Sequence, residues 1–238
     1  MTEKEQIDES FVKARFWAVC GAIGVRSERT IQTEWDKIHK AYTQPHRHHH
    51  TLALVADKLR LLDELPVPDR EMTRLQAFLI YADYKFVTAD VQLYRYNEAH
   101  SANHAREFLG FMGASEKLTG SVFKLIYNSR THMADPIADP YSALGQDIDQ
   151  SHLGGMPEKY DAYTQNYRHE FAHIDDDTFD RARLNGIVRP LLESPRIFLT
   201  DALHLRFNAQ ARANLVREAT QIEMRIATRA AVPRQACK

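Results

Sequence analysis

The sequence contains very little cysteine, with only Cys20 and Cys237 in 238 residues. Two cysteines so far apart do not form the dense pattern of a secreted disulfide scaffold, nor that of a cysteine zinc site. Long apolar runs are also missing. The longest, residues 16–25, is too short to span a bilayer, and the acidic start at 1–5 has the wrong charge for a secretion signal. We therefore expect a cytoplasmic protein with no membrane partner.

An excess of one charge is also missing, because 31 Lys and Arg residues nearly balance 32 Asp and Glu residues and leave a net charge of −1. A protein that holds a nucleic-acid backbone by releasing counterions needs a broad basic surface. We therefore expect no nucleic-acid duplex as a partner. A small ligand is the better expectation.

Most segments between turn signals instead carry apolar residues at spacings of three and four, which is typical of amphipathic helices. The pattern predicts an all-α fold and, at this length, a single domain over residues 1–238. A long irregular stretch, 131–156, is expected to be a functional loop, and 231–238 a frayed tail. The predicted helices are 4–23, 29–42, 46–64, 69–87, 97–112, 115–130, 157–174, 176–193 and 204–230.

Four of the five positions 46–50 are histidine, and the remaining one is Arg47. Imidazole is a common metal ligand and moves protons near neutral pH, so such a run indicates a candidate site. In a helix that starts at residue 46, His46 and His50 share one face. The alternative is a helix start after Pro45 with imidazoles in solvent.

Several carboxylates are further candidates, each with a simpler alternative. Asp83 follows a strongly apolar segment, where an ionised carboxylate is costly without a metal or a basic partner, and Lys85 offers an ordinary ion pair. Asp147 and Asp149 lie in the irregular stretch, where an Asx-turn or a helix cap is the alternative. Glu98 follows Asn97, which suits a helix N-cap.

A set of short motifs occurs in one order over residues 34–222. The motifs are Arg47-His48-His49-His50-Thr51, Tyr81-Ala82-Asp83, Asn97-Glu98 with Ser101-Ala102, Thr131-His132, Gln146-Asp147-Ile148, Tyr160 with Tyr163, Arg168 with Glu170, and Ala211-Arg212-Ala213-Asn214-Leu215. This ordered set resembles a bacterial family of predicted HD-domain metal-dependent phosphohydrolases. The resemblance implies an HD-domain-like helical bundle in which a histidine, a His-Asp pair and a later aspartate bind one divalent metal ion.

The resemblance implies that His50, Asp83 and Asp147 are the metal ligands. The histidine of the His-Asp pair is replaced by Ala82, and a second histidine expected one turn after His50 is Leu54. Three protein ligands are enough for a catalytic metal that keeps open positions for water and substrate. The identity of the metal among Mn, Mg, Ni, Fe and Zn stays open, as does its complete loss.

The implied activity is hydrolysis of a phosphate ester in a small phosphorylated molecule or a nucleotide. Glu98 would transfer a proton, while Arg47, Lys85 or His132 would contact the phosphate. The alternative is a catalytically inactive HD-like scaffold that binds a nucleotide or a protein partner.

A second motif, His169-Glu170-Phe171-Ala172-His173, has the H-E-x-x-H spacing of zinc peptidases. On a helix this spacing places two imidazoles on one zinc ion and a glutamate beside the water. A zinc metallopeptidase is therefore a minor alternative. Arg168 and Glu170 already belong to the HD-like motifs, which weighs against it.

Overall fold

The computed structural model describes residues 2–89, 94–131, 134 and 136–231, and all regular secondary structure in these ranges is helical. The all-α class is therefore confirmed. The chain packs as two compact units, 1–150 and 151–238, which we describe separately, and the single domain stays a prediction. Within the described ranges, none of the helices has both the length and the apolar character to cross a membrane.

The first unit contains helices whose starts are marked by short polar residues. Thr2 forms a capping box with Glu5 at the start of the first helix. The hydroxyls of Ser27 and Ser115 accept backbone N–H groups at the starts of the helices that follow them directly. These caps satisfy amides that have no partner within the helix. The helices are α1 (Glu3–Ile23), α2 (Glu28–Tyr42), α3 (Leu52–Asp63), α4 (Asp69–Tyr81), α5 (Asn97–Phe111), α6 (Glu116–Ser129) and α7 (Pro140–Asp149).

Helix α4 is the centre of this unit, since every residue from Leu75 to Tyr81 is buried. Helices α1, α3, α5, α6 and α7 all pack against it. The ring of Phe16 on α1 lies 6.4 Å from that of Tyr81 and 6.0 Å from that of Phe108. Each large apolar side chain buried here contributes roughly 1.5–3 kcal/mol. The end of α4, which presents Ala82 and Asp83, is therefore firmly fixed.

The predicted helix 46–64 was wrong at its start, because α3 begins only at Leu52 and residues 45–51 form turns and bends. His46 and His50 consequently do not share a helix face. The predicted helix 69–87 was also too long, since α4 ends at Tyr81.

The irregular stretch 131–156 contains a helix that the sequence analysis missed, α7. Asp139 caps it by accepting the Ser142 N–H at 2.9 Å, and Pro140 occupies its first position. Proline is well tolerated at the first position of a helix. The dipeptide Asp139-Pro140 therefore marked a helix start in a segment that its prolines and glycines had suggested was a loop.

The second unit is built around a long final helix that carries a buried ion pair. The carboxylate of Glu218 accepts from Arg183 Nε at 2.9 Å and from the Tyr160 hydroxyl at 2.5 Å. The expected tail, 231–238, lies outside the described residues except for Ala231, which ends the last helix. The elements are a 3₁₀ turn (Ser151–Gly154), α8 (Pro157–Glu170), α9 (Asp176–Arg183), a π-helical turn (Leu184–Val188), α10 (Arg189–Glu193) and α11 (Asp201–Ala231).

Candidate functional site

Arg47 connects the histidine run to the segment that follows α4. Its guanidinium donates to the backbone carbonyls of His50 at 3.2 Å, Asp83 at 2.7 Å and Tyr84 at 2.9 Å. The side chain is buried, with 6% of the residue exposed, and its charge lies over the ring of Tyr42. Arg47 was expected to contact a phosphate. These hydrogen bonds give it a role in positioning His50 and Asp83, and its contact to a phosphate stays a prediction.

The histidines of the run have different surroundings because the run wraps around Phe86. His46 Nε2 lies 3.0 Å from the Phe86 carbonyl oxygen, and the His50 ring is 4.1 Å from the Phe86 ring, centroid to centroid. His49 is buried, whereas His48 is exposed. Of the four imidazoles, that of His50 is half-buried and faces the charged groups described next.

A buried lysine on α3 lies at the centre of these charged groups. The ammonium of Lys58 is 3.3 Å from Asp83 Oδ2 and 2.6 Å from Asp149 Oδ1, and only 4% of its side chain is exposed. The sequence offered Lys85 as the basic partner of Asp83. Lys85 is exposed, and its backbone N–H donates to the Ser101 hydroxyl at 2.9 Å. The ion pair was expected, but its cation comes from α3 and not from the segment that follows α4.

The charges of neighbouring residues affect the pKa values in this group more than burial does. Burial opposes ionisation of Asp83, but Lys58, His50 and Arg47 together lower the pKa of its carboxyl to about 2. Burial also opposes the charged form of Lys58, but Asp149 and Asp83 raise the pKa of its ammonium. Both partners are therefore ionised near neutral pH.

Glu98 lies beside this ion pair. Burial raises the pKa of Glu98, the charge of Asp83 raises it further, and Arg130 and His50 act in the opposite direction. Glu98 and His50 are half-buried, and Arg130 at the end of α6 is exposed. We call His50, Lys58, Asp83, Glu98 and Asp149 the Lys58 cluster. Arg130 is exposed and its charge lowers the pKa of Glu98, and we call the side of the cluster with Arg130 and Glu98 its edge.

The motif that carries Glu98 also fixes the segment after α4. The side chain of Asn97 donates to the Val87 carbonyl and accepts its N–H, both at 3.1 Å. Asn97 was expected to be a helix N-cap, but it is the first residue of α5, and Tyr96 is the N-cap. These hydrogen bonds give the motif a positioning role.

Asp147 lies on α7, two residues before Asp149, and is completely buried. Helix α7 packs against α3 and α4. The predicted meeting of Asp147 with His50 and Asp83 stays a prediction. His132, the other expected contact to the phosphate, lies outside the described residues.

Around Asp83, the side chains that the structure describes do not fit a divalent metal ion. Ala82 offers a buried methyl group where the resemblance calls for an imidazole, and the carboxylate of Asp83 already contacts an ammonium. In the described part of the chain, no three His, Cys, Asp or Glu side chains form a group that could hold a metal. A metal ion and Lys58 would compete for the same oxygens.

The H-E-x-x-H spacing does not lie on one helix, because α8 ends at Glu170 and His173 follows in a turn. Glu170 is buried, whereas His169 and His173 are exposed. The shared helix face on which the peptidase interpretation depended is therefore missing from this segment.

Lys58 is the residue of the site that the sequence analysis overlooked. It interrupts the apolar face of α3, three residues after Val55 and one before Leu59, both of which are buried. A lysine within an apolar face is a signal for a buried ion pair, because an unpaired ammonium would be too costly there. Arg130, at the end of α6, carried no such signal.

Comparisons with protein-family models, with curated proteins and with solved structures gave no match for this chain.

Proposed function

We propose that the chain is an HD-like scaffold that binds a small phosphorylated molecule, such as a nucleotide, without hydrolysing it through a metal ion. The observation that carries this proposal is the ion pair between Asp83 and Lys58, next to the methyl group of Ala82. An aspartate held by an ammonium is a poor metal ligand, whereas the guanidinium of Arg130 can attract an anion.

The residues at the edge of the cluster give the ligand its expected chemistry. Arg130 is exposed and His50 is half-buried, and both lie close enough to Glu98 to affect its pKa. A guanidinium presents paired donors to phosphate oxygens. Burial raises the pKa of Glu98, whose carboxyl accepts hydrogen bonds when ionised and can donate one when protonated. Arg47 fixes the backbone on which His50 and Asp83 are placed.

The direct test is a binding screen in the presence of a metal chelator. Nucleotides and small phosphate esters are added to the untagged protein, and thermal stability followed by calorimetry identifies a ligand. We expect Arg130→Gln to weaken binding by roughly tenfold or more, because a hydrogen bond to a charged group contributes about 1.5–3 kcal/mol. Lys124→Gln, which removes an exposed cation from the same helix, should have little effect.

A phosphatase assay with Mn²⁺ or Mg²⁺ separates this proposal from the metal-dependent phosphohydrolase. We expect the wild type to hydrolyse phosphate esters no faster than the Asp83→Asn variant does. Metal-dependent hydrolysis that disappears in Asp83→Asn would identify an enzyme and overturn the proposal. Failure of every phosphorylated ligand to bind would leave the protein partner as the remaining scaffold function.

A further inference from the structure

The ammonium of Lys58 connects three parts of the first unit that are distant in sequence. Lys58 on α3 contacts Asp83, 25 residues later and just after α4, and Asp149, 91 residues later on α7. The two carboxylate oxygens approach the same nitrogen at 3.3 and 2.6 Å. One positive centre therefore holds oxygens from two remote segments, which is the structural task of a bound cation.

The charges at this position require a cation. Asp83 and Asp149 have side chains only 23% and 12% exposed. Two carboxylates this close to one another repel, and burial increases the cost of their charges. In the HD site that the resemblance implies, a divalent ion would offset the charge of Asp83, whereas Asp149 is not one of the implied ligands. Here the chain offsets the cost of both charges with Lys58, and Arg47 adds positive charge near Asp83.

Two departures from the HD pattern complement each other at this point. Ala82 removes a neutral metal ligand, so a metal ion would bind less tightly. The ammonium of Lys58 lies beside the carboxylate of Asp83, the residue that follows Ala82. The loss of one donor and the presence of an internal cation both favour a site without a metal.

We propose that Lys58 takes the place of the divalent ion at Asp83, the one implied metal ligand that it contacts, holding Asp83 and Asp149 together and excluding metal from them. The inference rests on the proposed function in that both take this site to be metal-free. It adds a specific role for one residue, and it holds for any ligand that binds at the edge.

The test measures Mn²⁺ binding to the full-length protein without an affinity tag. Mn²⁺ suits carboxylate oxygens, whereas softer ions would also bind to the histidine run. Calorimetry compares the wild type with Lys58→Met, which keeps most of the side-chain volume and removes the charge. Lys58→Met combined with Asp83→Asn locates any new site. Lys124→Met, on the exposed face of α6, is the matched control for loss of a lysine.

We expect the wild type and Lys124→Met to lack an Asp83-dependent Mn²⁺ site. Lys58→Met should gain one, with a dissociation constant lower by at least about tenfold, because the competing charge is gone. The gain should disappear when Asp83→Asn is added. Mn²⁺ should also raise the melting temperature of Lys58→Met, but not that of the wild type.

Three results would overturn the inference: wild-type Mn²⁺ binding that Asp83→Asn abolishes, a folded Lys58→Met that gains no site, or a new site that survives Asp83→Asn. If Lys58→Met is unfolded in chelator, Mn²⁺ should restore its circular dichroism spectrum, and failure to do so also counts against it. The two proposals can fail separately. If Lys58→Met gains Mn²⁺ binding but the wild type binds no phosphorylated ligand, the proposed function is rejected and the role of Lys58 stands.

Discussion

Lys58 carries its charge within the apolar face of α3, and two carboxylates make this possible. A buried ammonium without partners either loses its proton or destabilises the fold. Asp83 and Asp149 stabilise the charged form and tie α3 to the end of α4 and to α7. Breaking such a pair costs more than the pair contributes, because the remaining charge stays buried.

The depressed pKa of Asp83 predicts acid sensitivity. The folded-state pKa is about 2, below the unfolded value of 3.8, so the stabilisation is fully present above about pH 4 and is lost as the pH falls towards 2. The shift corresponds to about 2 kcal/mol. Urea unfolding between pH 2 and 5 should therefore show a flatter pH dependence for Asp83→Asn. The exposed Asp36→Asn serves as control, and an unchanged pH dependence in Asp83→Asn would contradict the pairing.

Restoring the missing histidine should have an effect that depends on Lys58. With Lys58 present, Ala82→His should leave Mn²⁺ affinity near the wild-type level, because the carboxylate of Asp83 stays bound to the ammonium. Ala82→His combined with Lys58→Met should bind Mn²⁺ about tenfold more tightly than Lys58→Met alone, since it gains a ligand. Ala82→Leu controls for side-chain size. Tight, Asp83-dependent binding by Ala82→His alone would show that Lys58 does not exclude the ion.

At the scale of the helices, the position of Asp149 depends on a close approach between α7 and α4. A methyl group added to Gly145 would lie 2.9 Å from Cδ2 of Leu75 and 3.4 Å from the ring of Phe78. Both neighbours are completely buried in the core of this unit, where close packing resists such a shift. The absence of a side chain at Gly145 therefore lets α7 bring Asp149 to Lys58.

Substitution of two helical glycines by alanine should have opposite effects. Gly145→Ala should lower the free energy of unfolding by about 1 kcal/mol or more, because overpacking outweighs the better helix propensity of alanine. Gly120→Ala, in α6 with open space around it, should raise it by roughly 0.5–1 kcal/mol. Chemical denaturation measures both, and a stabilising Gly145→Ala would show that α7 can shift freely.

The periodic helices were predictable because their apolar stripes decide their packing. The start of α3 and the end of α4 were not predictable, since they depend on contacts between residues that are distant in sequence. Arg47 donates to the Asp83 carbonyl, and Asn97 bonds to Val87. Side-chain bonds of this kind replace helical hydrogen bonds and leave no local signal.

The sequence pointed to Asp83 as a buried carboxylate that needs a partner, and this was informative. The partner itself could not be identified from the sequence, because Lys58 meets Asp83 and Asp149 only through the packing of α3 and α7 against α4. Lys85, the nearest candidate in sequence, is exposed. Proximity along the chain was thus a poor guide to proximity in the fold.

At the scale of the whole molecule, the first compact unit contains α1 to α7 and the entire Lys58 cluster. A chain of this length buries enough surface to fold alone. We therefore expect residues 1–150, expressed alone, to be helical and to unfold cooperatively. Circular dichroism and amide NMR spectra provide the measurement. A disordered fragment would mean that this unit needs residues 151–238 in order to fold.

The origin of the positive charge at Asp83 also decides what the protein needs in order to mature. An ion taken from the surroundings must be supplied, can be exchanged for a wrong one, and can be withdrawn by starvation. A lysine is synthesised with the chain and is in place as soon as α3, α4 and α7 meet. On this basis the protein would reach its finished state in a metal-poor cell as readily as in a metal-rich one.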